Sequence, residues 1–277
     1  SFRPHLECLK ERLEVIKILV ERGYDARVLA PTTEIQRYQR SYGLSQAEGL
    51  GAKLLDTTEQ TQQLTDWCRD GQMQIKNITY NAPDLNDDWF AKLGCKKPRF
   101  VSRLGEGGRA IESDGFALIA ADTDEASVQS LQKDGLRTYK LPSGIRMRPF
   151  YNRKNEVVAR ANAECDHIDL FVNTIDAGRL MIVDPTYFMK AAKELKAIGK
   201  QEGYEILKIP ACEENLALTN FLTLPDGMIL MNKSERLYRD LKRRDLTEHI
   251  ITTQTRHHFN SDSILGGIRC YTNVVKT

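Results

Sequence analysis

The apolar pattern predicts an α/β protein assembled from a repeated unit. Three observations carry this. Helix-period and strand-period stretches alternate along the 277 residues. Strong turn signals, Asp176-Ala177-Gly178 and Pro225-Asp226-Gly227, separate paired strand-like runs. One order, two hairpin strands followed by a helix and a strand, spans 168–209 and recurs over 216–253, with a shorter-helix version over 109–141. Recurrence of such units about every 45 residues predicts a radially repeated architecture. No Ser/Gly-rich linker or change of composition divides the chain, so residues 1–277 read as one domain.

In chain order, Leu13, Ile16, Leu19 and Val20 give residues 9–22 a helical face, with Gly23 as its C-cap. Residues 24–29 read as a strand stopped by Pro31. The polar, Gln-rich stretch 33–71 reads as helical, its 57–68 tail as an exposed helix. Residues 74–80 are strand-like and 82–89 form an acidic loop. Strands are expected over 99–104, 109–113 and 116–121, around glycine turns, and a helix over 124–133. The Arg- and Asn-rich stretch 143–163 reads as a surface loop over a site. Strands 168–175 and 179–183, helix 185–203 and strand 205–209 follow. A hairpin of 216–224 with 228–232, helix 234–244 and strand 249–253 complete the pattern.

Composition narrows the function classes. Forty basic and 38 acidic residues leave a net charge of +2, without the basic excess expected of a nucleic-acid binder. The apolar run Gly115–Ala121 is strand-sized, and none approaches the roughly 20 residues of a membrane span, so neither nucleic acid nor membrane is expected as a partner. Six scattered cysteines without a CxxC pair suit reduced thiols and a cytoplasmic setting. The first residue is Ser1, which leaves room for a missing natural N-terminus, and Phe2-Arg3-Pro4-His5 does not read as a signal peptide. Self-association into a homo-oligomer is left open.

Three short motifs can carry chemistry. In Gly105-Glu106-Gly107-Gly108, glycines flank a carboxylate and let backbone approach closely; the same pattern also serves as a plain inter-strand turn. In Asp166-His167-Ile168-Asp169, a His and an Asp two apart on a strand share a face, which sets an imidazole beside a carboxylate. A structural His–Asp pair would look the same. Cys165, His167 and Asp169 have metal-ligand chemistry, but no second ligand cluster accompanies them. In Gly266-Gly267-Ile268-Arg269-Cys270, a glycine pair precedes a cysteine that is either an exposed thiol or a small buried hydrophobe. His257-His258, Lys242-Arg243-Arg244, and Arg146, Arg148, Arg153 and Arg160 read as solvated surface, and Trp67 and Trp89 as packing residues.

Taken together, the order Glu-Gly-Gly, His-x-Asp, Gly-Gly-x-x-Cys resembles the pentein superfamily of guanidine-modifying enzymes, which includes arginine and agmatine deiminases, dimethylarginine hydrolases and amidinotransferases. Asn220-Phe221-Leu222 followed by Asp226-Gly227 is similar to the family's penultimate repeat, and the likeness covers residues 99–272. The chain departs from the pattern in two places. Arg109 stands where members commonly have Asp after Glu-Gly-Gly. No Arg-Asp pair occurs in an early strand; the segment from Asp84 to Trp89 is similar to the acidic-Trp region of agmatine deiminases, and that resemblance offers Asp87 or Asp88 as the guanidinium-gripping carboxylate.

The resemblance implies a five-bladed α/β-propeller of ββαβ units and a small-molecule guanidine substrate. In that reading Cys270, His167 and Glu106 are catalytic, and Asp169, Asp87 or Asp88, and Asn220 bind substrate. The chemistry fits these residue types. A planar cation wants carboxylates around it, bound through bidentate N–H forks. Its carbon is a poor electrophile and calls for a thiolate. An imidazole protonates the departing nitrogen and then activates water. Hydrolysis of arginine or a small derivative to a ureido product through a covalent S-alkylthiouronium is the expected reaction, requiring no metal or organic cofactor. An amidinotransferase sharing the intermediate, and a non-catalytic binding protein on the same fold, are the alternatives.

Overall fold

The computed structural model describes residues 3–31, 43–57, 71–85, 88–151, 157–185, 191–210, 218–232, 234–253, 268–269, 272 and 274. Helix α1 (Arg3–Glu21) leads into strand β1 (Arg27–Pro31), which pairs in parallel with β2 (Lys53–Thr57). The expectation of helix over 33–71 is corrected at 53–57, which is a strand, while 43–49 is helical; the helix expected over 57–68 lies, beyond Thr57, outside the described residues. Lys-Leu-Leu-Asp-Thr is too short to show a helical period, and its two leucines pair with β1 instead.

Four three-stranded sheets follow, each an antiparallel hairpin plus a parallel third strand. The first has β3 (Gln72–Ile75), β4 (Ile78–Asn81) and β5 (Arg99–Val101), with the one-turn helix α2 (Trp89–Lys92) between the last two. The second has β6 (Ala110–Ser113), β7 (Phe116–Ala120), α3 (Glu125–Lys133) and β8 (Arg137–Leu141). A hairpin ribbon, β9 (Gly144–Tyr151) and β10 (Val157–Cys165), comes next. The third unit is β11 (Val172–Ile175), β12 (Leu180–Val183), α4 (Ala192–Glu202) and β13 (Glu205–Lys208). The fourth is β14 (Leu222–Thr223), β15 (Ile229–Asn232), α5 (Glu235–Lys242) and β16 (Ile250–Thr253). Adjacent antiparallel strands need only a tight turn, whereas a parallel neighbour needs a crossover, and the helix supplies it.

Local chemistry sets these boundaries. Asp124 and Ser234 accept from the amides of Ser127 and Leu237 and start α3 and α5. Gly203 ends α4 at φ +72°, and Gly227 turns the last hairpin at φ +83°.

The middle strand of the second, third and fourth units is buried on both faces. Phe116, Leu118 and Ala120 of β7 enter a cluster with Met181 and Val183 of β12, while Ala117 and Ile119 enter another with Met73 and Tyr80 of the first unit. Leu180 and Ile182 point the other way, to Phe221, Ile229 and Met231 of the fourth unit. Leu230 then meets Val15 of α1 and Ile268. Trp89 and Phe90 of the first unit pack with Leu29 of β1 and Leu55 of β2. Alternation of side chains on a pleated strand thus joins each unit to the next, and the sequence reads as a continuous apolar run.

Three further expectations are corrected. Residues 74–80 belong to two strands, not one, with the turn at Lys76-Asn77 and Lys76 at φ +49°. The surface loop expected over 143–163 is the β9–β10 ribbon, in which Val157 pairs with Tyr151 and Ala159 with Phe150, so a bulge interrupts its far end. Residues 168–170 form a 3-10 turn, and strand β11 starts only at Val172.

Candidate functional site

Two 3-10 turns, Arg103–Gly105 and Gly107–Arg109, flank Glu106 and project it from the end of the first unit. The backbone leaves β5 through Ser102, whose hydroxyl accepts from the Leu104 amide, donates to Asp124 and accepts from Ser127. Two glycines of the motif have steric reasons. A Cβ on Gly105 would overlap the backbone of Asn81 and Ala82. A Cβ on Gly108 would stand 2.5 Å from Nδ1 of His167 and 3.0 Å from Oδ1 of Asp169. The Glu-Gly-Gly turn is therefore packed directly against the His-x-Asp segment.

His167 caps the turn Ile168–Leu170 rather than lying in a strand, so the shared strand face expected for His167 and Asp169 is replaced by a tight turn. Both residues nevertheless approach Gly108. The turn closes because the amides of Leu170 and Phe171 donate back to the carbonyls of His167 and Ile168. Nε2 of His167 lies 3.8 Å from Oε2 of Glu106. Burial raises the Glu106 pKa, but contact with His167 and the charges of Arg109 and Arg103 outweigh it, so the carboxyl sits below its ordinary value.

Asp169 is completely buried. Its Oδ2 accepts from Asn220 Nδ2 at 2.9 Å, and its carbonyl accepts from the Thr219 hydroxyl at 3.0 Å. Asn173 of β11 holds that strand entry in turn, donating to the carbonyls of Thr219 and Phe221 at 2.7 and 3.1 Å. The Asn220 amide gives this buried carboxyl a hydrogen-bond donor and a fixed orientation.

The chain end reaches the same place. Arg269 donates from its guanidinium to the carbonyl of Ala110 at 2.8 Å, and its amide donates to the carbonyl of Asn220 at 3.3 Å. Residues 268–269 are thus tied both to the strand that follows the Glu-Gly-Gly turn and to the residue that holds Asp169. Cys270 itself, and Asp87, lie outside the described residues.

Asp88 is described, and it is engaged locally. Its carboxylate accepts from the Ala91 amide at 2.9 Å as the cap of α2, accepts from Gln72 at 2.6 Å, and pairs with Arg99. Glu106, His167, Asp169 and Asn220 are therefore brought together, whereas Asp88 is committed to the first unit.

A group not identified as functional from sequence surrounds Glu106. The guanidinium of Arg109 is fully buried and pairs with Asp122 and Asp166. Arg103 reaches both of the same carboxylates. The only sequence signal was the departure of Arg109 from the motif. Among the described residues no cluster of His, Cys, Asp and Glu could hold a metal ion, and no helix is long and apolar enough to cross a membrane.

No family model matches the chain, and no curated protein matches it in sequence. Solved structures do resemble it in fold. A mutant of DDAH from Pseudomonas aeruginosa, complexed with citrulline, superposes with a TM-score of 0.51 at 11% identity, over 89% of this chain and 97% of that one. The N-terminal domain of ArgZ, an arginine dihydrolase from the ornithine-ammonia cycle in cyanobacteria, bound to product, gives 0.51 at 12%, over 90% and 98%. An adduct of dimethylarginine dimethylaminohydrolase with 4-chloro-2-hydroxymethylpyridine gives 0.50 at 12%, over 90% and 98%. The chain has the α/β fold of these pentein structures.

Proposed function

We propose that this protein hydrolyses a guanidino group, on arginine or a small arginine derivative, to a ureido group. The observation that carries the reading is the convergence on Gly108 of Glu106, His167 and Asp169, with Asn220 behind Asp169. A proton shuttle beside two anionic groups suits a flat cation. The neighbours of like fold support the same chemistry: one is an arginine dihydrolase bound to its product, another is complexed with citrulline.

Glu106 grips the guanidinium N–H groups, and Asp169, fully buried beneath Gly108, joins it once the Glu106 and His167 turns part to admit the substrate, each charge-assisted bond contributing about 1.5–3 kcal/mol. Asn220 keeps the Asp169 carboxyl aimed. Of the two early carboxylates, Asp87 is the third clamp, because Asp88 already serves α2 and Arg99. Cys270 acts as nucleophile, supported by the tie of its neighbour Arg269 to Ala110 and Asn220. Its thiolate attacks the guanidinium carbon while His167 delivers a proton to the leaving nitrogen, and the C–N bond breaks to release ammonia or an amine. His167 then removes a proton from water. The hydroxide adds to the S-alkylthiouronium, the C–S bond breaks as the added hydroxyl gives up its proton to the released ammonia or amine or to solvent, and a ureido product and the thiolate result.

The scaffold belongs to the same reading. Residues 1–277 form one domain, a five-bladed propeller in which the four ββαβ units and the β1–β2 unit succeed one another around the site. Its support is the run of shared clusters, from unit to unit and back through α1 and through β1–β2.

Incubation with arginine and with N-methylated arginines, followed by assay for ureido product and released ammonia or amine, tests the function. A haloacetamidine should label Cys270 selectively, and guanidines should protect it. Equal labelling of several cysteines with no turnover would return the protein to the non-catalytic reading. Transfer of the amidino group to added glycine or ornithine would make it an amidinotransferase.

A further inference from the structure

Arg109 has no exposed side-chain surface, and a buried guanidinium persists only where it is paired. It spans two carboxylates, Asp122 after β7 and Asp166 after β10, with one nitrogen 3.9 Å from Oε2 of Glu106. Arg103 lies across the same pair, 2.6 Å from Asp122 and 3.0 Å from Asp166, and 3.5 Å from Oε1 of Glu106. Two cations and three carboxylates therefore close a ring. Arg109 ends the turn that follows Glu106, and Asp166 is the residue before His167. The ring joins the two segments that aim the carboxylate and the imidazole at each other.

We propose that Arg109 is a positioning residue: clamped between Asp122 and Asp166, it fixes the Glu106 turn against the His167 segment and sets the separation and charge balance of that pair. Its catalytic meaning rests on the guanidine reading above. A guanidinium does this where a lysine would not, because its planar fork reaches two carboxylates along fixed directions. In this arrangement Arg109, a cation on the Glu106 turn, and Asp166, an anion directly before His167 in the chain, would act on the imidazole with opposite sign. Among the described residues, Glu106 on the preceding turn and Asp169 on its own turn also approach His167, and Arg103 reaches it through Asp166.

Opposite sign is what separates this role from a merely structural one. In protein carrying 13C-labelled histidine, the Cε1–H signal of His167, assigned by its loss in His167→Gln, is titrated by NMR. Arg109→Met should raise the His167 midpoint by roughly one pH unit, and Asp166→Asn should lower it by a similar amount. Arg109→Lys should leave the midpoint nearly unchanged yet lower kcat about tenfold, with KM little altered, because the charge remains and the fork is lost. Shifts of the same sign in Arg109→Met and Asp166→Asn, or no shift in either, overturn the proposal. If Arg109→Met does not fold, Asp166→Asn and Arg109→Lys still decide: a midpoint that does not fall in the first, or full kcat in the second, overturns it. The titration needs no turnover. Opposite shifts without guanidine hydrolysis would reject the proposed reaction and leave the positioning role standing, whereas hydrolysis with same-sign shifts would do the reverse.

Discussion

Gly108 and His167 are in mutual contact so close that a methyl group on the glycine would stand 2.5 Å from the imidazole Nδ1. Cγ of the same ring would stand 2.8 Å away and Oδ1 of Asp169 3.0 Å away, so a turn of the ring alone does not relieve the contact; the whole side chain must swing about its Cβ, and it then leaves Glu106. Gly108→Ala should therefore lose about a hundredfold in kcat/KM, the cost of a misplaced proton shuttle, with a smaller loss of stability than Gly105→Ala. Gly105→Ala meets the backbone of Asn81 and Ala82, which cannot turn aside. It should lower stability by about 1–3 kcal/mol. Thermal denaturation beside kinetics separates the two, and full activity in Gly108→Ala would remove His167 from the reaction.

Asn220 and Asp169 form the second pair at the site. Removal of the amide leaves a buried carboxyl with a donor fewer, which costs it a fixed orientation. Asn220→Leu, of similar size, should raise KM for the guanidine roughly tenfold, the value of one charge-assisted bond. Isothermal titration with a slowly turned-over guanidine reads this directly. Unchanged affinity would mean that Asp169 does not touch the substrate.

The two early carboxylates should part company under substitution. Asp88→Ala removes the cap of α2 and the partner of Arg99, so it should cost about 1–2 kcal/mol of stability with KM unchanged. Asp87→Ala should instead raise KM at least about tenfold, as loss of a charged clamp would, and leave the melting temperature alone. Reversal of these two outcomes would move the clamp to Asp88.

Much of this arrangement was legible along the chain, and the remainder was hidden for definable reasons. The last two ββαβ units show themselves because their middle strands are apolar on both faces and their turns carry Gly178 and Gly227. The first unit does not: its hairpin turns at Lys76-Asn77 without a glycine, and its crossover helix is a single turn. Composition misled at the β9–β10 ribbon, where Arg and Asn at 146, 148, 160 and 162 mask strand alternation. At the site, glycines and the His-x-Asp spacing left a local mark. The ring around Arg109 left only that residue's departure from the motif, because charge pairing between residues 57 apart has no periodicity to read.

The second and third units are also joined by an ion pair whose pH dependence can be signed. Glu202, near the end of α4 and almost entirely buried, accepts from Arg137 of β8 at 2.5 and 2.8 Å and from the Tyr139 hydroxyl. The Arg137 hydrogen bonds hold its pKa below the ordinary carboxylate value against the opposing effect of burial, with Tyr139 assisting. A carboxyl whose pKa is lower folded than unfolded stabilises the fold above the unfolded value, about 4.3, and that contribution disappears as pH falls through the folded value. Glu202→Gln should therefore be less stable than the parent at pH 7, by about 1–3 kcal/mol. The gap should narrow steadily below about pH 4.3. Several other carboxyls, Asp124 and Glu106 among them, are also held low, so both proteins lose stability in acid, and the difference between their denaturant midpoints across pH isolates Glu202. A gap that stays constant from pH 7 to the acid limit would show that Glu202 contributes by packing rather than by charge.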